Sequence, residues 1–171
     1  MNLQSDDFEL LNVPRRFAQD RKVLDARWKE LQRQAHPDKF AAQGAAAQRL
    51  AMQWSVRINE AYQRLKDPLK RAAYLCELAG APIGAEDNTA MPGAFLMQQM
   101  EWREALDEAH TVKDIEALQA EVGVAERETL ARCEAALDVD DAPAAVLEVR
   151  ALMFLERFAS SVDQRLDQLG Q

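Results

Sequence analysis

A chain of 171 residues that is 48% hydrophobic and 29% charged has the size of one ordinary domain or two small ones. Its net charge of −8 is unevenly spread: residues 1–75 hold 14 Lys+Arg against 9 Asp+Glu, net +5, and residues 76–171 hold 7 against 20, net −13. This composition argues against wholesale disorder, no apolar run is long enough to cross a bilayer, and the acidic start "MNLQSDDFELL" resembles neither a secretory signal nor a transit peptide.

Taken in chain order, the elements are all helical, and no run alternates convincingly enough for a strand. Asp6 can cap a short first helix, with Glu9 three residues on and Val13-Pro14 ending it. Asp20 can cap a second, whose apolar stripe is Leu24, Trp28, Leu31 and Ala35. The tripeptide His36-Pro37-Asp38 interrupts it. A third helix then carries Leu50, Trp54, Ile58, Ala61 and Leu65 on one face, and Asp67-Pro68 closes it. A short fourth, "LKRAAYLCELAG", stops at Gly80. The two long helices are expected to pack antiparallel, Leu24/Trp28/Leu31 against Leu50/Trp54/Ile58, with both tryptophans in the core.

The stretch "AGAPIGAEDNTAMPG" carries Gly80, Pro82, Gly84, Pro92 and Gly93 close to where the charge balance changes, and reads as a linker. Beyond it, helices are expected near 92–109, 112–138 and 143–169. Pro92 and Pro143 suit first turns, and Thr111 can cap the middle helix with Asp114 in support. The core stripes are Phe95/Trp102/Leu106/Ala109, then Ile115/Leu118/Val122/Thr129 with Cys133, then Ala151/Leu155/Phe158/Val162/Leu166/Leu169. The two cysteines, Cys76 and Cys133, form no CxxC pair and read as free thiols of a reducing cytosol.

Two surfaces remain after the cores are assigned. On the second helix Lys22, Lys29 and Arg33 lie within about 40° of one another and about 150° from the apolar centre. A lone charged stripe is commonly just a solvated face. This one runs straight into His36-Pro37-Asp38, where proline fixes its own φ and pushes His36 out of the helical region. An imidazole and a carboxylate flanking a rigid ring can be recognised with little entropy to lose. As an enzyme site the loop is poor, since it has no neighbouring nucleophile and no metal-ligand spacing. On the fifth helix Leu96, Met97 and Met100 lie about 100–200° from Phe95, beside the carboxylates Glu101, Glu104 and Glu108. Like charges at the Glu104–Glu108 spacing repel, and methionines adapt to a partner's shape, so this face suits a basic and partly apolar protein. Phe154 lies at the edge of the last stripe and is expected to be partly exposed with the patch. The plainer alternative is that a helix in a three-helix bundle simply needs a wide apolar face.

"HPDKF" after a basic helix, followed by "INEAYQRLKDPLKRAAYL" at 58–75, resembles the J-domain of DnaJ-type co-chaperones over roughly residues 5–75. Ala35 stands where many J-domains have tyrosine, which is expected to loosen packing beneath the loop. Over the whole chain, "TAMPGAFLMQQMEWREALDE" and "VRALMFLERFASSVDQRL" are similar to the HscB co-chaperones of bacterial iron–sulfur cluster assembly. The resemblance implies an all-α fold: an N-terminal J-domain at 1–78 (an antiparallel helical hairpin with short flanking helices), a linker at 79–91 and a C-terminal three-helix bundle at 92–171. It implies that Lys22, Lys29, Arg33, His36, Pro37 and Asp38 engage a DnaK-type chaperone, HscA in that family, and stimulate its ATP hydrolysis. It implies equally that Leu96, Met97, Met100, Glu101, Glu104, Glu108 and Phe154 bind the cluster scaffold IscU. Met100 replaces a leucine often found there, a volume-conserving change. The N-terminal zinc cysteines of mitochondrial relatives are missing, which favours a cytoplasmic bacterial protein without metal or cofactor. The expected protein is therefore a monomeric adaptor, not an enzyme, with protein partners and neither nucleic acid nor membrane. Two rivals stand beside it: a J-protein for another client that dimerises through the C-terminal patch, and a cysteine or metal enzyme using Cys76, Cys133, His36 and His110.

Overall fold

Apolar residues recur every three or four positions along most of the chain, and each such run forms a helix. A computed structural model describes residues 2–84 and 91–170. Among them lie α1 (Asp7–Leu11), α2 (Arg21–Ala35), a 3-10 segment (Pro37–Gln43), α3 (Ala45–Lys66), α4 (Pro68–Leu78), α5 (Gly93–Glu108), α6 (Val112–Asp138) and α7 (Ala142–Leu169), with no strand. No helix among the described residues is long and apolar enough to cross a membrane. The chain divides into two compact units, Met1–Leu75 and Cys76–Gln171. Of the expected linker at 79–91, residues 85–90 lie outside the described residues.

The first unit is tightly tied at one end. Asp6 caps α1 by accepting from the Glu9 N–H at 2.8 Å, and Asn12 ends it at φ +54. The neighbouring acid has another role. Asp7 is fully buried and lies 2.8 Å from both Arg57 and Arg64 of α3, while its backbone N–H donates to the Tyr74 hydroxyl at 3.0 Å. Arg64 in turn covers the Tyr74 ring, and Arg71 covers Phe17 while donating to the Leu65 carbonyl. A buried carboxylate is tolerated because two guanidinium groups compensate its lost hydration. Nearer the middle of the hairpin, Trp28 stacks on Tyr62 at 4.6 Å between ring centres, and the Tyr62 hydroxyl donates to Asp25. That bond, with Arg21, holds the Asp25 carboxyl below its usual range. Gln32 and Ser55 exchange two hydrogen bonds of 2.9 and 2.7 Å between α2 and α3.

The other end of the hairpin departs from the expected core. Leu24 is the one buried residue of α2, and the 3-10 segment has none. Trp28 and Trp54 are half-buried instead of core, and Leu50 is 50% exposed. The reason is architectural. Helix α1 packs on α3 and α2 away from the loop, and at the tip the third element is the short 3-10 segment, which rests on α3 without burying a residue of its own and so cannot enclose a wide side chain.

In the second unit α6 and α7 pack along their length, joined by a tight turn in which Asp140 adopts φ +56. Thr111 caps α6 through the Asp114 N–H at 3.1 Å; Asp141 caps α7 through the Ala144 N–H at 3.2 Å, with Pro143 in the first turn. The core gathers Trp102, Ile115, Leu118, Val122, Phe154, Leu155, Phe158 and Val162, largely the stripes expected from periodicity. Cys133 and Thr129 are buried as expected.

Candidate functional site

Each unit presents one surface that its core does not explain. In the first, α2 ends because Pro37 removes a backbone donor and forces His36 to extended dihedrals, φ −61 and ψ 128. Pro37 then opens the 3-10 segment, and Asp38 follows in its first turn. The Asp38 N–H donates to His36 Nδ1 at 3.2 Å, so Nε2 is the ring nitrogen left to donate. The side chains of His36 and Asp38 are 58% and 90% exposed, so the loop offers a donor and a carboxylate to solvent. Lys22, Lys29 and Arg33 are exposed along the same helix. Arg33 alone of the three is ion-paired among the described residues, to Glu30 at 2.7 Å, a solvent-screened contact that a partner's carboxylate can displace.

Behind the loop lies a cavity of about 340 Å³ lined by Leu31, Ala35, Phe40, Leu50, Trp54 and Ile58. Ala35 is one wall of this open hollow. The exposure of Leu50 and the half-burial of Trp54 belong to the same hollow.

In the second unit α5 turns Trp102 and Ala109 inward, where the Trp102 Nε1–H donates to Glu121 at 3.3 Å. Its outer face carries Leu96 at 44% and Met97 and Met100 at 64% exposure, and Glu101, Glu104 and Glu108 are all exposed beside them. Phe154 must be corrected. It is only 8% exposed, edge-on to Phe95 at 5.5 Å and stacked on Phe158 at 5.8 Å. Periodicity placed it at the stripe's edge, but α5 lies over that edge and covers it. The ring supports α5 through Phe95 and is not part of the exposed patch.

Two residues escaped notice in the sequence. Arg103 and Arg157 flank a groove of about 450 Å³ between α5 and α7, floored by Phe154 and Phe158. A signal existed, because on the α5 wheel Arg103 falls about 20° from Leu96. The thiols are enclosed. Cys76 and Cys133 are free and buried, and burial pushes Cys76 up and Cys133 up to about 12, far from the thiolate that nucleophilic chemistry needs.

The chain matches two family profiles, the DnaJ domain over residues 6–74 and the HSCB C-terminal oligomerisation domain over residues 91–163. It is 48% identical to the co-chaperone protein HscB homolog of Burkholderia mallei strain SAVP1, covering 99% of this chain and 98% of that protein. Among solved structures, the chaperone HscB from Vibrio cholerae superposes with a TM-score of 0.82 at 33% identity, over 96% of this chain and 99% of that one. The human co-chaperone protein HscB gives 0.91 at 26% identity, over 96% of this chain and 83% of that one.

Proposed function

The chain belongs to the HscB family of J-domain co-chaperones, and from that premise we propose that it is an adaptor joining a cluster scaffold to an ATP-driven chaperone. Its J-domain, residues 1–78, docks on a DnaK-type chaperone of the HscA class through Lys22, Lys29 and Arg33. His36, Pro37 and Asp38 then trigger ATP hydrolysis in that partner. Past the linker at 79–91, the domain at 92–171 holds an iron–sulfur scaffold of the IscU class. Leu96, Met97 and Met100 give the apolar contact, Glu101, Glu104 and Glu108 the charge, and Phe154 supports the patch from beneath through Phe95. The cluster is the scaffold's cargo, and this chain, a cytoplasmic monomer in this reading, needs no metal or catalytic group of its own.

One observation carries most of the support: two exposed surfaces of opposite charge, each on its own unit, neither needed by the core behind it. Tethering in one chain raises the local concentration of one partner near the other, so delivery requires no chemistry from the tether. Titration calorimetry with purified IscU-class scaffold tests the client half, and the absence of binding refutes it. A second reading draws on the description of the matched C-terminal profile as an oligomerisation domain. In it the Leu96/Met97/Met100 patch joins two copies. Sedimentation equilibrium separates the two, since a dimer that loses half its mass in a Met97→Glu variant favours the second.

A further inference from the structure

The C-terminal unit spends its few bases unevenly. Residues 76–171 contain 7 Lys+Arg against 20 Asp+Glu, so carboxylates outnumber bases there almost three to one. Arg132 takes one, Glu148 at 3.3 Å. Arg103 and Arg157, like Lys113, Arg127, Arg150 and Arg165, make no ion pair among the described residues, and these two border the α5/α7 groove of about 450 Å³. Asp107 also lines that groove, one carboxylate against two guanidinium groups. Arg103 lies over the Phe154 ring at 5.9 Å from its centre, which shields one face of the fork and limits its rotamers. The groove is open and both arginines are exposed, so a carboxylate bound there pairs in a salt-screened setting, on side chains steadied by the aromatic floor.

The groove adjoins the apolar patch. On the α5 wheel, Arg103, Leu96, Asp107 and Met100 follow one another at about 20° steps, and Glu104, Met97, Glu108 and Glu101 continue around the exposed arc. Leu96 and Met100 therefore have the Arg103 guanidinium on one side and a carboxylate ladder on the other, with Asp107 between them on the wheel.

We propose that Arg103 and Arg157 form the second, oppositely charged half of the client site and bind a carboxylate-bearing segment of the scaffold protein. This rests on the reading that the scaffold sits on Leu96, Met97 and Met100. The scaffold then carries bases facing Glu101, Glu104 and Glu108, and acids facing the groove, with an apolar strip between. A site with both signs fixes orientation, because a scaffold turned end for end meets like charges on both flanks.

The test is titration calorimetry of the full chain with purified IscU-class scaffold at low and high salt. Reversal of both groove charges (Arg103→Glu with Arg157→Glu) should weaken binding at least about tenfold at low salt and less at high salt. Neutralisation (Arg103→Gln with Arg157→Gln) should weaken it about threefold, and circular dichroism should be unchanged because both side chains are exposed. The reference is Met97→Ala with Met100→Ala. If the methionine pair weakens binding while charge reversal leaves it unchanged or tighter, the groove proposal falls and the adaptor reading stands. If the scaffold does not bind the wild-type chain, or neither pair matters, both fall together.

Discussion

The His36-Pro37-Asp38 loop and the Leu96/Met97/Met100 patch are both exposed, but they rest on different foundations. Beneath the loop is a hollow between two helices, walled by half-buried tryptophan and an exposed leucine. Beneath the patch runs a chain of rings, Phe95 on Phe154, Phe154 on Phe158, and Phe158 on Trp102, continuous with the domain core. The loop is kept in shape by proline, by the Asp38 and Lys39 N–H groups donating to the His36 ring and carbonyl at 3.2 and 3.0 Å, and by the 3-10 segment resting on α3. The patch is kept in shape by packing that reaches across a three-helix unit. Substitutions under the two surfaces should therefore have opposite consequences for stability.

The largest effect is expected at Phe154. Truncation to alanine removes the ring that supports α5 through Phe95, the middle one of the stack, at about 3–5 kcal/mol. A thermal melt that leaves the C-terminal unit's transition unmoved would contradict its burial. Smaller in energy but specific to binding is the joint truncation of Leu96, Met97 and Met100 to alanine. Their exposure predicts little loss of stability and a fall in scaffold affinity of at least tenfold, about 1.4 kcal/mol. Heat denaturation and calorimetry on that one variant separate the two quantities.

The loop side of the comparison is sharpened by filling the hollow. Ala35→Leu should stabilise the first unit by about 1 kcal/mol, since it adds apolar atoms beside an open hollow with an apolar lining. A loss of stability in urea melts would show the cavity to be narrower than its volume. Least of all, the units should respond differently to acid. Burial first, then Glu156 and Asp163, raise the Glu126 carboxyl above 4.5, so its ionised form destabilises the C-terminal unit at neutral pH and protonation relieves this. Asp25 is lowered by Tyr62 and Arg21, so its stabilising contribution is present at neutral pH and lost as pH falls through its folded value. Glu126→Gln should raise Tm slightly at pH 7, with the gain vanishing as pH falls into the ordinary carboxylate range. A gain that persists in acid would assign the effect to something other than charge.

Helix positions and most caps were legible because they depend on near neighbours: Asp6, Asp20 and Thr111 each accept a backbone N–H two or three residues on. Depth was not legible. The Leu50/Trp54 stripe lines the hollow its period points to, yet the 3-10 segment that rests there is too short to cover it, and period specifies a direction without saying what stands there. Phe154 failed in the opposite sense, covered by a helix some fifty residues earlier in the chain. Asp7 looked like a companion to the Asp6 cap. Its partners Arg57 and Arg64 lie on α3, and no local pattern links an acid to bases so distant in sequence. Of the candidate site, the exposed face of α5 could be read from its wheel, whereas the groove with Arg157 needed α7 to be placed beside it.

The most direct test is ATP turnover by a purified HscA-class chaperone with scaffold present, comparing the wild-type chain with Asp38→Asn. Asp38 is exposed and outside both cores, so the variant should fold and bind scaffold as the wild type does. We expect the wild-type chain to accelerate hydrolysis and Asp38→Asn to return it to the rate of chaperone and scaffold alone. Full stimulation by Asp38→Asn would make the loop an ordinary turn and contradict its role as the trigger.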